Sequence, residues 1–407
     1  MRYDKYSVAQ LNKSQVFDLV RKKGPISRTE IARTIGLSMP TVMKITEEFT
    51  RKNLLMEIGK GESRGGRQPE LLELNSDSKF CIGVGIGRSR TYAVMINLIG
   101  EVVCREIMET GNTAYPEVWI NRLIETIEQL IQNSGIMENQ ILGMGIGMPG
   151  ILDIKNGEVL FSPDFHWENV KLLEPVKKRF SMDITLENAN RALAMGEYFF
   201  GAGIESKNFL VVNLGHGIGS AIVREGEFYR GSSGSSGEIG HIVLEKDGPQ
   251  CNCGNKGCLE AIASGNAIAR DAKIAILEGK KTMVKDLAGD DINLVEAKTV
   301  FEAAKRGDKV AGGIVERAIQ YIGIGLANYI NLLDPDLIIL SGGLTNADKI
   351  FFKRIQEVVR LRQMKFAGRQ VKVVISRMGE NGTAVGSASM VLKKFIKYGN
   401  PKEGFTH

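Results

Sequence analysis

The chain has 407 residues, 43% apolar and 25% charged, an ordinary mix for a folded protein with more than one core. No apolar run is long enough to span a bilayer, and no apolar stretch with a small-residue cleavage site opens the chain, so the expected location is cytoplasmic, with no membrane partner. The formal charge of +6 is uneven: residues 1–72 hold 14 Lys+Arg against 8 Asp+Glu and the remainder balances, which points to a polyanionic partner for the N-terminal segment.

Residues 8–22 predict a helix with Leu11, Val16, Leu19 and Val20 on one face, ended by Gly24-Pro25. Ser27 with Glu30 forms a capping box that opens a short helix with Ile31, Ala32 and Ile35 inward. Gly36 makes the turn, Ser38 caps a second helix with Pro40 in its first turn, and Val42, Ile45 and Phe49 form its buried stripe. Two short helices around a glycine turn read as a helix-turn-helix, whose second helix would enter the major groove of double-stranded DNA. Ser38, Met39, Thr41 and Lys44 are the candidate DNA contacts, Thr41 and Lys44 foremost. A strand at 54–58, a glycine-rich tip carrying Arg64 and Arg67, and a strand at 71–74 predict a wing, the arginines suited to a narrow, electronegative minor groove.

From residue 80 the pattern becomes α/β. Strands are expected at 80–86, 91–97 and 100–106, then an amphipathic helix at 119–131 with Ile120, Leu123, Ile124, Ile127 and Leu130 on one face, then a buried strand at 141–147. The scheme repeats with strands at 208–214 and 219–225, a short strand after them, helical segments, and a buried strand at 337–343. This predicts two lobes of one design, with a ligand cleft between them. The expected domains are residues 1–72, 73–190 and 191–407, the C-terminal helix being a candidate to pack back on the first lobe.

Of five cysteines, Cys81 and Cys104 lie in apolar runs and read as buried, inert thiols. Cys251, Cys253 and Cys258 cluster after His241, and one imidazole with three thiolates suits a closed, structural tetrahedral Zn2+ site. Gly254 and Gly257 would allow the tight turns that gather the sulfurs.

The stretch GEIGH at 237–241 followed by CNCGNKGCLE at 251–260 resembles the signature of the ROK family of repressors, open reading frames and kinases. With its N-terminal module, the chain is similar to the family's repressor branch, which includes regulators responsive to xylose, N-acetylglucosamine and glucose. The resemblance implies a winged helix-turn-helix fused to an α/β two-lobed actin-like (ribonuclease-H-like) sugar-kinase fold. It implies a monosaccharide effector bound by Asn188, Glu238, His241 and Glu260, with a main-chain contact near Pro149-Gly150. It also implies a homodimer or tetramer on a roughly palindromic, AT-rich operator.

Three departures from the family's kinases bear on activity. Ala189 stands where the resemblance implies the general-base aspartate; Gly85 stands in the acidic position of the first phosphate loop; His216 replaces a small hydroxyl residue between Gly215 and Gly217. Alanine cannot accept a proton, and loss of a general base costs about 10²–10⁴ in rate. The expectation is a sugar-responsive transcriptional repressor with no catalytic residues. The alternative is an ATP-dependent sugar kinase that also binds DNA. Arg191 is expected to narrow the sugar cleft, and the polar tail 397–407 to fray.

Overall fold

The structure is a computed structural model that describes residues 5–61, 68–346, 349–365 and 371–398. The chain forms two compact units, one built from residues up to Phe200 together with those from Asn381 on, the other from Gly201–Glu380. The helix that follows Asn188 stays whole in the first unit, so the division falls after Phe200 and not after residue 190.

The first unit opens with α1 (Lys5–Lys23), β1 (Ile26–Ser27), α2 (Arg28–Ile35), α3 (Met39–Arg51), β2 (Leu55–Lys60) and β3 (Glu70–Leu74). The Ser27 hydroxyl accepts the Glu30 N–H at 3.2 Å, Gly36 ends α2 in the left-handed region (φ 70°), and Ser38 caps α3. Val42, Ile45 and Phe49 are buried as the periodicity predicts, joined by Thr46. In α1, Val16, Leu19 and Val20 are buried, but Leu11 is 54% exposed. Five helical residues separate Leu11 from Val16, about 140° round the axis, so Leu11 leaves the stripe and Phe17 takes its place. The strands form a three-stranded antiparallel sheet in the order β1-β3-β2. Arg28 ties this sheet to the helices: its guanidinium donates to the Thr46 hydroxyl (3.0 Å), to Glu57 (2.7 Å) and to Glu70 (3.2 Å).

The body of this unit comprises β4 (Phe80–Ile86), β5 (Arg90–Asn97), β6 (Val102–Glu109), α4 (Pro116–Ser134), β7 (Ile141–Met148), β8 (Ile151–Asp153), β9 (Glu158–Ser162), β10 (Trp167–Lys171), α5 (Leu173–Arg179), β11 (Ile184–Asn188) and α6 (Ala189–Phe200). The main sheet runs β11-β7-β4-β5-β6, an antiparallel meander extended by two parallel strands; β10-β9-β8 form a separate small sheet. Helix α4 buries Ile120, Leu123, Ile127 and Leu130 as expected, and Trp119 with them.

The second unit repeats the plan with β12 (Phe209–Leu214), β13 (Ile218–Arg224), β14 (Glu227–Phe228), α7 (Leu259–Ala263), α8 (Gly265–Leu277), α9 (Val284–Leu287), α10 (Ala297–Lys305), α11 (Lys309–Leu333), β15 (Leu337–Ser341), α12 (Lys349–Arg362) and β16 (Lys372–Ile375). Its sheet order, β14-β13-β12-β15-β16, mirrors the first. The fifth strand of each sheet, 184–188 and 372–375, has no place in the sequence expectation, because a strand of four or five residues carries little periodic signal.

The last helix, α13 (Gly382–Tyr398), belongs to the first unit and packs on β4, β7 and α6 at backbone distance. A Cβ on Gly83 would lie 1.9 Å from the Ala384 carbonyl oxygen, one on Gly145 1.9 Å from that of Ser387, and one on Gly386 1.8 Å from that of Ala192. Glycine is required at each because backbone lies opposite and has no rotamer to move. Gly145→Ala should therefore destabilise the fold by about 3 kcal/mol in chemical denaturation. Gly312→Ala, in α11 with nothing within 4 Å of its Cβ, should stabilise it by up to about 1 kcal/mol.

Candidate functional site

His241 ends a single 3-10 turn, Ile239–His241, with Glu238 immediately before it. Cys251, Cys253 and Cys258 follow in a loop whose backbone closes on itself: the Cys251 N–H donates to the Asn255 carbonyl (2.8 Å), the Gly254 N–H to that of Cys251 (3.0 Å), and the Gln250 side chain to those of Gly254 and Asn255. Gly257, at φ 69°, allows this closure, since a Cβ there would lie 1.6 Å from the Glu245 carbonyl oxygen.

The four donor atoms all lie within 4.8 Å of one another. Cys253 Sγ and Cys258 Sγ are 3.6 Å apart, and Cys251 Sγ is 3.6 Å from His241 Nδ1. Ligands on a tetrahedral zinc are about 3.7 Å apart for a Zn–S bond of about 2.3 Å, so the donor set fits a metal ion. The thiols bear the strain of crowding. Burial, reinforced by the neighbouring sulfurs, pushes Cys258 up to about 12, and burial raises Cys251. Cys253 is lowered to about 7: burial opposes this, but the Asn255 N–H and the two neighbouring thiols outweigh it. A dication would compensate three thiolates that otherwise repel. The Nδ1 nitrogen of His241 faces the Cys251 sulfur, so a metal held here would take that nitrogen and leave Nε2 to another partner.

Glu260 lies two residues past Cys258, on the short helix α7. Its Oε2 accepts the Ile218 N–H at 2.8 Å. Gly217 and Gly240 make this possible: a Cβ on Gly217 would meet Glu260 Oε2 at 2.4 Å, and one on Gly240 the Ile218 carbonyl oxygen at 2.1 Å. The cysteine loop thus fixes Glu260 on one side of the chain and His241 on the other. Tyr329 of α11 lies close enough to feel the Glu238 charge, which, after burial, raises its phenol.

Asn188 ends β11 in the first unit. Its amide donates to the Gly150 carbonyl at 3.1 Å and its Oδ1 accepts the Asn190 N–H at 3.0 Å, capping α6. Ala189 is the first residue of that helix. Arg191, two residues on, is buried and paired with Glu187 one turn before it at 3.3 Å, so its charge is spent inside the unit. At Gly85 a Cβ would lie 2.6 Å from the Ala384 nitrogen, so the N-terminal turn of α13 fills the space an acidic side chain would need. His216 is exposed, its carbonyl accepting the Asn266 N–H.

Among the candidate DNA contacts, Ser38, Met39 and Lys44 are exposed and Thr41 is half-buried. Ser38 and Thr41 serve the cap, their hydroxyls 2.8 Å apart. Met43, which the sequence reading passed over, stands exposed between Met39 and Lys44. Arg64 and Arg67 lie outside the described residues. Cys81 is buried and its thiol raised by burial; Cys104 is only half-buried. No helix among the described residues is long and apolar enough to cross a membrane.

Sequence reasoning also missed Arg21. Its side chain is 2% exposed, donates to the Phe199 carbonyl, and lies 4.5 Å from the Phe199 ring centroid and 5.7 Å from that of Phe200. Asp18 pairs with it at 2.6 Å; burial works the other way, but Arg21 and Lys22 hold this carboxyl below its ordinary range. Phe17 meets Phe395 of α13 edge to face at 6.3 Å. The module of residues 5–74 is thereby joined to the end of α6 and to α13.

The family model for the ROK family matches residues 81–394. The chain belongs to the ROK family. It is 28% identical to a xylose repressor of Caldicellulosiruptor bescii over 389 residues, which is 96% of this chain and 97% of that protein. Its fold matches the crystal structure of a ROK family transcriptional regulator, a homologue of the E. coli MLC protein, with a TM-score of 0.80, 28% identity, and coverage of 96% of this chain and 98% of that one. A ROK family glucokinase from Streptomyces griseus, solved with glucose and AMPPNP, matches with a TM-score of 0.68 and 29% identity; 76% of this chain covers 98% of the kinase.

Purified protein should contain about one zinc per chain by elemental analysis. Cys258→Ser should lose the metal and lower the melting temperature, and a strong chelator should do the same to the unaltered chain.

Proposed function

We propose that this chain is a sugar-responsive transcriptional repressor without kinase activity. The observation that carries the reading is end-to-end likeness to a repressor and to a transcriptional regulator, whereas the kinase match leaves about a quarter of the chain uncovered. That uncovered share is about the size of the basic N-terminal module, read here as a winged helix-turn-helix with α3 as recognition helix and β2–β3 as wing. Two such modules in a homodimer would read the half-sites of a roughly palindromic, AT-rich operator, with Arg64 and Arg67 in the minor groove.

The effector is a monosaccharide. Glu238 and Glu260 offer carboxylates to vicinal hydroxyls, and His241 offers Nε2 while structural zinc holds Nδ1. Zinc has no catalytic part: its four protein ligands leave no open position. Asn188 is the sugar ligand of the first unit. Ala189 offers no base for the attacking hydroxyl, and the crowding at Gly85 leaves no room for an acidic anchor of nucleotide phosphates.

The regulatory route is carried by α6. The helix starts at the sugar ligand Asn188 and ends at Phe199-Phe200, where Arg21 of the DNA-binding module is attached. A sugar that repositions Asn188 acts on one end of a rigid rod whose other end holds α1.

Titrating sugars into a complex with duplex DNA, followed by fluorescence anisotropy, should find one monosaccharide that shifts affinity by roughly 5–150-fold, with no ADP formed from ATP. If no sugar shifts affinity, the effector assignment fails; sugar-dependent ADP release would restore the kinase reading. Arg21→Ala should keep DNA binding and sugar-induced thermal stabilisation while the affinity shift falls towards unity.

A further inference from the structure

We infer that Met39 and Met43 are specificity-determining residues that read thymine methyl groups in the major groove. The inference rests on the DNA-binding reading and adds to it which chemical feature of the bases the recognition helix selects.

The two methionines stand one turn apart on α3 and are 38% and 44% exposed. The buried stripe of α3, Val42, Ile45, Thr46 and Phe49, lies about 90° round the axis, so the methionines stand at the border between the packed and the open face. Met39, Pro40, Met43 and Lys44 are all exposed on the N-terminal half of α3, the part of a recognition helix that meets base edges. Neither side chain is buried in the core, and each keeps more than a third of its surface open to an incoming partner.

The duplex is the occupant this face fits. The module carries the chain's whole basic excess, and Lys44 and Arg51 are exposed on the same helix. Glu47, also exposed, does not oppose base contact, since a carboxylate in the major groove accepts from a cytosine amino group. A thioether side chain has no useful donor and is a poor acceptor, so it reads little of the hydrogen-bond pattern of the base edges. The apolar feature the major groove presents is the thymine C5-methyl. Methionine suits it: unbranched, polarizable and free in three torsions, it settles against a methyl whose position varies with local groove shape. Ser38 and Thr41, whose hydroxyls engage each other at the cap, are less available for this role.

The experiment first enriches duplexes from a randomised pool on the full-length protein. In the tightest duplex each thymine is then replaced singly by deoxyuridine, which removes one methyl and keeps every hydrogen-bonding group. Affinity for the unaltered protein should fall about fourfold at one or two thymines of each half-site, the effect of burying one methyl. Met43→Ala should abolish the penalty at one of these thymines, Met39→Ala at another, and Met43→Leu should retain it. Both positions are exposed, so unchanged melting temperatures are expected and confirm folded variants. If deoxyuridine has no effect anywhere, or the alanine variants keep the full penalty, the inference is overturned and the methionines serve another occupant such as a protein. If no sequence is enriched at all, the DNA-binding reading fails together with it.

Discussion

The constraint on which the first unit depends is the approach of α13 to β4, β7 and α6 at backbone distance. Glycines on both faces, among them Gly83, Gly85, Gly145 and Gly386, and a row of small residues let helix and sheet meet closely. The packing brings the C-terminal segment into the N-terminal unit and fixes α6 along its length. It also fills the space beside Gly85. A close-packed interface of this kind shifts as a body or not at all, because there are no flexible side chains to absorb a displacement.

That rigidity gives the N-terminal module a firm seat. Phe17 lies against Phe395 and Arg21 against Phe199 and Phe200, so α1 touches both helices that the glycines lock together. The guanidinium is buried, yet it has a carboxylate, a carbonyl and two aromatic faces around it, which offsets its desolvation. In the proposed reading the same helix that ends here begins at the sugar ligand. Effector and reading head then meet through one element of secondary structure, and no long chain of side-chain contacts is needed.

In the second unit the cysteine loop has a comparable role on a smaller scale. It gathers four donor atoms, and the residues it holds in place are His241, one of the four, and Glu260, two positions beyond another. Gly217 and Gly240 are conditions for that placement, as they leave room for a carboxylate held by the Ile218 N–H. In the proposed reading, such a site orients the groups that would bind sugar hydroxyls before the ligand arrives, which lowers the entropy cost of binding.

The sequence alone determined the features that rest on local pattern or spacing. The caps at Ser27 and Ser38, the glycine turn at Gly36, the buried stripe of α3, the repeated strand scheme and the His–Cys cluster all depend on residues close together in the chain, and each is found in the structure. The family signature fell within the same short stretch. What depends on distant residues was decided only by tertiary structure. Phe17 joined the core because the ring it meets, Phe395 of α13, lies nearly four hundred residues away in the chain. Gly217 entered the sequence reading only as a neighbour of His216, yet its lack of a side chain serves Glu260, 43 positions on. Arg21, one of three bases in the last turn of α1, is buried against two aromatic rings that nothing in its local sequence announces. Pattern along a chain encodes which face of an element is apolar; it carries no record of which other element will cover that face.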